Sequence, residues 1–234
     1  MGIRRVGEVV GFNVKAMNRV FLVLVILVSA LMGDRRQMLA DETTKTIVVL
    51  GDSLAAGLGV EREEAFPSLL QDKIDAVGLP YRVLNAGFSG DTTAGGLRRL
   101  AWVLKRKPDV FVLELGGNDG LRGLAPEETK KNLNAIIDRV RRINPEAVIL
   151  LSGMQMPQNM GEEYTSAFRA LFPAVAQDKQ VALIPFLLEG VGGVPALNQG
   201  DMIHPNAKGH ELVAENVWRV LEPLLLREVS RSDR

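Results

Sequence analysis

Ester cleavage by a serine needs a hydroxyl to attack, an imidazole to take its proton and hand it to the leaving group, and a carboxylate to orient the imidazole. Ser53, in Gly51-Asp52-Ser53-Leu54, and Asp201 with His204, in Asp201-Met202-Ile203-His204-Pro205, supply these three types. The tetrahedral oxyanion needs hydrogen-bond donors fixed in advance. The backbone N–H of Ser53, the backbone N–H of Gly90 in Gly87-Phe88-Ser89-Gly90-Asp91, and the side-chain amide of Asn118 in Gly116-Gly117-Asn118-Asp119 are the candidates. His204 and His210 are the only histidines and cysteine is absent. Thiol nucleophiles, disulfide frameworks, thiolate zinc sites and three-histidine metal sites are therefore excluded. His210 reads as a solvated or partly packed residue of a helix, with no chemical role. Taken singly, each segment is also ordinary turn or cap composition: Gly-Asp-Ser is a common turn, Gly-Gly-Asn-Asp suits left-handed residues, and Asp201 with His204 could merely cap a helix. Their placement relative to one another decides between the readings.

That placement follows from the surrounding pattern. From Thr44 onward, short β-branched apolar runs alternate with segments of helical period, the signature of parallel strands joined by crossover helices. The predicted strands are Ile47–Leu50, Tyr81–Leu84, Val110–Leu115, Val148–Leu151 and Val181–Ile184. Pro126 opens a predicted helix with Glu127 and Glu128 in its first turn and Leu133, Ile136, Ile137 and Val140 on one face; Arg139, Arg141 and Arg142 close it before Asn144-Pro145. A last helix starts near Asn206 and carries Val213, Val217, Val220, Leu221 and Leu224 at helical spacing. In an open parallel sheet, ligands bind where the carboxyl ends of the strands meet adaptable loops and helix N-termini. The segments holding Ser53, Gly90 and Asn118 each follow a predicted strand, and the Asp201–His204 segment precedes the last helix. On this joint placement the catalytic reading outweighs the ordinary one. No repeat, linker or second domain is visible after residue 41.

Composition sets the remaining bounds. With 234 residues, 47% hydrophobic and 24% charged, the chain is globular and has ample apolar material for a core. Residues 1–40 hold six Lys/Arg against two Asp/Glu, which leaves 22 basic and 26 acidic residues in 41–234 and no basic field to attract nucleic acid. Residues 20–32, VFLVLVILVSALM, are an uninterrupted apolar run preceded by Arg4, Arg5, Lys15 and Arg19. A bilayer span needs about 20 apolar residues, so this run fits the core of an export signal better than a stable membrane helix. Residues 1–40 are accordingly read as a signal peptide or membrane anchor and 41–234 as the functional domain, periplasmic or secreted, or membrane-tethered if the segment stays uncleaved. The phosphate loop G-x-x-x-x-G-K-[ST] and the dinucleotide fingerprint G-x-G-x-x-G before a crossover helix are missing. Gly87-Phe88-Ser89-Gly90-Asp91 fails the G-x-S-x-G elbow at its last position.

At these residues the sequence resembles the SGNH (GDSL) hydrolase superfamily, named for a Ser, a Gly, an Asn and a His in four blocks, matched here by Ser53, Gly90, Asn118 and His204. Within it the chain is similar to the bacterial acyl-CoA thioesterase I, lysophospholipase and arylesterase group. The stretches carrying the likeness are VVLGDSLAAGLGV at 48–60, NAGFSGDTTAGGL at 85–97, ELGGNDGLRGLAPEET at 114–129 and DMIHPNAKGH at 201–210. The resemblance implies a three-layer α/β/α, flavodoxin-like fold with a five-stranded parallel sheet. It also implies a Ser53–His204–Asp201 triad, oxyanion donors at Ser53, Gly90 and Asn118, no cofactor and no metal, and export to the periplasm. The expected partner is a small acyl ester or thioester, with contact to lipid or a membrane surface and a monomeric chain. Leu121, in the segment that acts as a switch loop in that group, and Met154, Met156, Pro157, Leu187, Leu188 and Val191 are candidates for the acyl-binding wall. For the methionine and leucine segments, core packing under a loop is an equal alternative. One departure stands out: Met202 occupies a position where the group more usually has glycine. Because an imidazole must start neutral to accept a proton, activity is expected to rise between about pH 6 and 8. A sugar- or envelope-polymer deacetylase and a non-catalytic acyl-binding protein are the alternatives on the same scaffold.

Overall fold

The computed structural model describes residues 44–232, so the segment read as an export signal or anchor lies outside the described residues. Five strands form one parallel sheet in the order β2-β1-β3-β4-β5: β1 Lys45–Gly51, β2 Tyr81–Gly87, β3 Val110–Glu114, β4 Val148–Ser152 and β5 Ala182–Ile184. This is the flavodoxin-like order, in which the chain reverses direction across the sheet between β1 and β3. The central strands read Ile47-Val48-Val49-Leu50 and Val110-Phe111-Val112-Leu113, and all eight residues are buried, as expected where helices cover both faces of a parallel strand. The edge strand β2 is buried at Tyr81, half-buried along most of its length and exposed at Arg82 and Asn85. It also runs three residues beyond its predicted end at Leu84, because its ladder with β1 continues to the Gly51–Gly87 pair.

Seven α-helices lie among the described residues: α1 Ser53–Ala56, α2 Phe66–Ala76, α3 Thr93–Val103, α4 Gly117–Leu121, α5 Pro126–Ile143, α6 Glu162–Lys179 and α7 Ala207–Ser232. Helices α2 and α7 pack on each other, and α5 packs between α3 and α6, which gives a layer of helices on each side of the sheet. Helix α5 behaves as its sequence predicts, with Pro126 in the first turn and Leu133, Ile136, Ile137 and Val140 fully buried. Asn206 caps α7, its Oδ1 accepting the Gly209 N–H at 3.1 Å. Of the α7 residues read as its apolar face, Val213, Val217 and Leu221 are buried, while Leu225 takes the core position beside the half-buried Leu224. Among the described residues no helix is long and apolar enough to cross a membrane.

Candidate active site

The chain leaves β1 at Gly51 and turns at once into the four-residue helix α1, which begins at Ser53. So short a helix cannot satisfy its own first N–H groups, and acceptors come from outside it. The Asp52 carboxylate accepts the Leu54 N–H at 3.0 Å, and the buried Glu114 carboxyl, at the end of β3, accepts the N–H groups of Asp52 and Ala55 at 3.1 and 3.2 Å. A Cβ at residue 51 would fall on that carboxyl and on Ala55 Cβ, so glycine is required there. The Ser53 N–H has no acceptor among the described residues. Ser53 is only 7% exposed, yet its Oγ lies 2.8 Å from His204 Nε2.

His204 is held from behind. Its Nδ1 is 2.6 Å from Asp201 Oδ2, while Asp201 Oδ1 accepts the N–H groups of Ile203 and His204 at 2.9 and 3.0 Å. The His204 N–H, the His204 ring and the Ile203 N–H together pull the Asp201 carboxyl down to about 2, so it is an anion at neutral pH. Gln199 clamps this loop to the loop after β1. Its N–H donates to the His204 carbonyl at 2.8 Å, and its side-chain amide donates to Leu58 O at 2.6 Å and Pro205 O at 2.9 Å.

Asn118 lies in the first turn of α4, and its Nδ2 donates one hydrogen to Asp52 Oδ2 at 3.0 Å, which aims the amide beside Ser53. Burial raises the Asp52 carboxyl to about 6, against the opposing pull of the Leu54 N–H and the Asn118 amide. Next to Asn118, the buried Asp119 ties its loop to α3 by accepting the Thr93 N–H at 2.8 Å and the Thr93 hydroxyl at 2.5 Å. Gly90 has φ 80°, in the left-handed region that favours glycine, and its N–H is likewise without an acceptor among the described residues. Its carbonyl accepts from Arg122 Nη2 at 2.8 Å, which couples the Gly90 loop to the loop carrying Asn118. Arg99 joins the strand ends below, donating to Gly51 O at 2.9 Å, Ala86 O at 2.7 Å and the Asp91 carboxylate at 2.6 Å.

Ser53, Asn118, Asp201 and His204 open into one cavity of about 580 Å³. Leu121, Met154, Met156, Pro157, Phe186 and Leu188 supply most of its apolar wall, and Met202 and Ile203 line it beside His204. Gly90 is not part of that wall. Leu187, an expected wall residue, is not there either. It is fully buried with its N–H bonded to Gly153 O at 3.0 Å, so it turns into the core while its neighbours Phe186 and Leu188 line the cavity. Val191 is also core. His210 departs from its expected solvated or partly packed state: it is 1% exposed, its Nδ1 accepts the Phe66 N–H at 3.3 Å and its ring stacks on Phe66. Glu114, Asp119, Arg99, Arg122 and Gln199 escaped the sequence reading. Glu114 carries a visible signal, a charge near the end of an otherwise apolar strand, and Asp119 and Arg122 lie within the stretch around Asn118.

A serine hydroxyl on an imidazole that is backed by a carboxylate, at the carboxyl ends of a flavodoxin-like sheet and beside the Asn118 amide, is an arrangement fitted to acyl transfer. Residues 49–212 match the model of the GDSL-like Lipase/Acylhydrolase family, and the chain belongs to that family. It is 46% identical over 182 residues to the esterase TesA of Pseudomonas aeruginosa, a match spanning 77% of this chain and 90% of that one. It is 40% identical over 181 residues to the thioesterase 1/protease 1/lysophospholipase L1 of Escherichia coli, across 77% of this chain and 85% of that one. A crystal structure of TesA aligns with a TM-score of 0.74 at 46% identity, covering 77% of this chain and 99% of the other.

Proposed function

We propose that the protein is a serine esterase that hydrolyses carboxylic esters and acyl thioesters through an acyl-enzyme. The observation that carries this reading is the unbroken relay Ser53 Oγ to His204 Nε2 to Asp201 Oδ2, with links of 2.8 and 2.6 Å. Ser53 attacks the acyl carbonyl as His204 takes its proton. The N–H groups of Ser53 and Gly90 and the Asn118 amide receive the oxyanion. His204 returns the proton to the leaving alcohol or thiol, and water, activated by the same imidazole, releases the acid. Asp201 keeps the imidazole in the tautomer and orientation that both steps need.

The relatives' names, an esterase and a thioesterase also called lysophospholipase L1, support the oxyester and thioester range. The apolar wall around Leu121, Met156 and Leu188 favours a hydrocarbon acyl group over a sugar polymer, which argues against the deacetylase alternative. In the same reading, residues 1–40 direct the domain 41–234 out of the cytoplasm or tether it to the membrane. The domain acts as a monomer on amphiphilic substrates at or near a lipid surface. The test is hydrolysis of p-nitrophenyl acyl esters and matched acyl-CoA thioesters by the full chain and by Ser53→Ala. Cleavage of both series, lost in the folded variant, is the expected result; no cleavage of either by folded protein overturns the reading.

A further inference from the structure

Glu114 is fully buried, and the relay does not use it. One of its oxygens, Oε2, takes the N–H groups of Asp52 and Ala55, the residues on either side of Ser53-Leu54, while Oε1 has no hydrogen-bond partner among the described residues. The Leu54 N–H is occupied by the Asp52 carboxylate. Of the four consecutive N–H groups at residues 52–55, Ser53's alone is therefore left without an acceptor among the described residues. Resting on the serine-hydrolase reading, we infer that Glu114 is a positioning residue: by drawing the two flanking N–H groups inward onto one oxygen, it turns the Ser53 N–H and Oγ outward together, as oxyanion donor and nucleophile.

The physical case is one of competition. A helix of four residues cannot supply acceptors for its own start, so without Glu114 two buried N–H groups are orphaned, and a buried donor without an acceptor is costly. The turn then relieves that cost by rotating, and the rotation takes Ser53 with it. The carboxyl acts here as a hydrogen-bond acceptor and not as a charge. It lies in the interior with no cation bonded to it among the described residues, and burial, reinforced by the nearby Asp52, pushes its pKa well above the usual carboxylate range. An amide oxygen in the same place can accept the same two bonds, so the role is separable from ionisation.

The test compares Glu114→Gln, which keeps the acceptor, with Glu114→Asp, which withdraws it by one methylene, and Glu114→Met, which deletes it at similar volume. All three are made in the full chain and assayed on protein shown to be folded by circular dichroism. All lose some thermal stability, so kcat and KM decide. Expected are a kcat within about threefold of wild type for Glu114→Gln, and a kcat lowered roughly 10- to 100-fold with KM changed by less than about threefold for Glu114→Asp and Glu114→Met, the scale of losing or misplacing one oxyanion donor or nucleophile. Should Glu114→Met fail to fold, Glu114→Asp carries the comparison. Wild-type kcat in folded Glu114→Asp or Glu114→Met overturns the inference, as does a loss in Glu114→Gln equal to theirs. A wild-type protein without esterase activity is a different failure, that of the hydrolase reading itself.

Discussion

Met202 adopts φ 63°, a left-handed conformation that costs a side-chain-bearing residue about 1 to 2 kcal/mol, and it lines the cavity beside His204. Its departure from the glycine usual in similar sequences was legible as a motif mismatch. The backbone strain that glycine would avoid was not, because φ is set by the three bonds that Asp201 makes to the following loop. Met202→Gly is expected to relieve the strain, partly offset by the greater freedom of glycine in the unfolded chain. The net gain is up to about 1 kcal/mol, read as a Tm higher by up to about 4 °C in thermal melts; a lowered Tm would mean that the methionine packs more favourably than its 40% exposure suggests. Asn118 offers a second residue-scale prediction. Its amide is already aimed by Asp52, so Asn118→Ala removes a prepared donor and is expected to lower kcat roughly 100- to 1,000-fold with little change in KM. Retained turnover in the folded variant would remove Asn118 from the oxyanion site.

At the scale of elements, helices and strands carried their own signals: Pro126 and the acidic first turn start α5, and the apolar runs of β1 and β3 mark central strands. The site residues were legible because motif and strand end coincide. The groups that hold those loops in register, Arg99, Asp119 and Gln199, were not, because each acts across a sequence separation that no periodicity reports. His210 was misread for a related reason: position along α7 does not reveal that α2 brings Phe66 against it. Burial pushes the His210 imidazole down to about 4, below the roughly 6.5 of an unfolded histidine. Between those values the unfolded chain binds more protons, so this histidine's contribution to stability is intact above about pH 6.5 and is lost as pH falls toward 4. The loss is roughly 2 kcal/mol between pH 7 and 5. The raised Asp52 and Glu114 groups act with the opposite sign, since there the folded state binds the extra protons. Chemical denaturation of wild type and His210→Asn at both pH values isolates the histidine: stability should fall less in the variant by about that amount, and identical pH dependence would contradict the buried neutral state.

At the scale of the molecule, the β1/β3 reversal opens the crevice in which the Ser53 and Asn118 loops meet, and the segment from Met154 to Pro157 closes the cavity from the β4 side. A wall of this character predicts that kcat/KM rises with acyl length by up to about fourfold per methylene, the value of burying one CH₂, until the cavity of about 580 Å³ is filled. Leu188→Trp narrows that cavity and is expected to move the preferred p-nitrophenyl ester toward shorter chains while acetate hydrolysis persists. An unmoved profile would place the acyl chain elsewhere. If Ser53 is a nucleophile driven by His204, it can be trapped covalently. After brief exposure of the full chain to a fluorophosphonate, mass spectrometry should find one adduct, mapped to Ser53, absent in Ser53→Ala and formed far more slowly in His204→Ala. An unmodified Ser53 in folded wild-type protein, or labelling that is indifferent to His204, would contradict it.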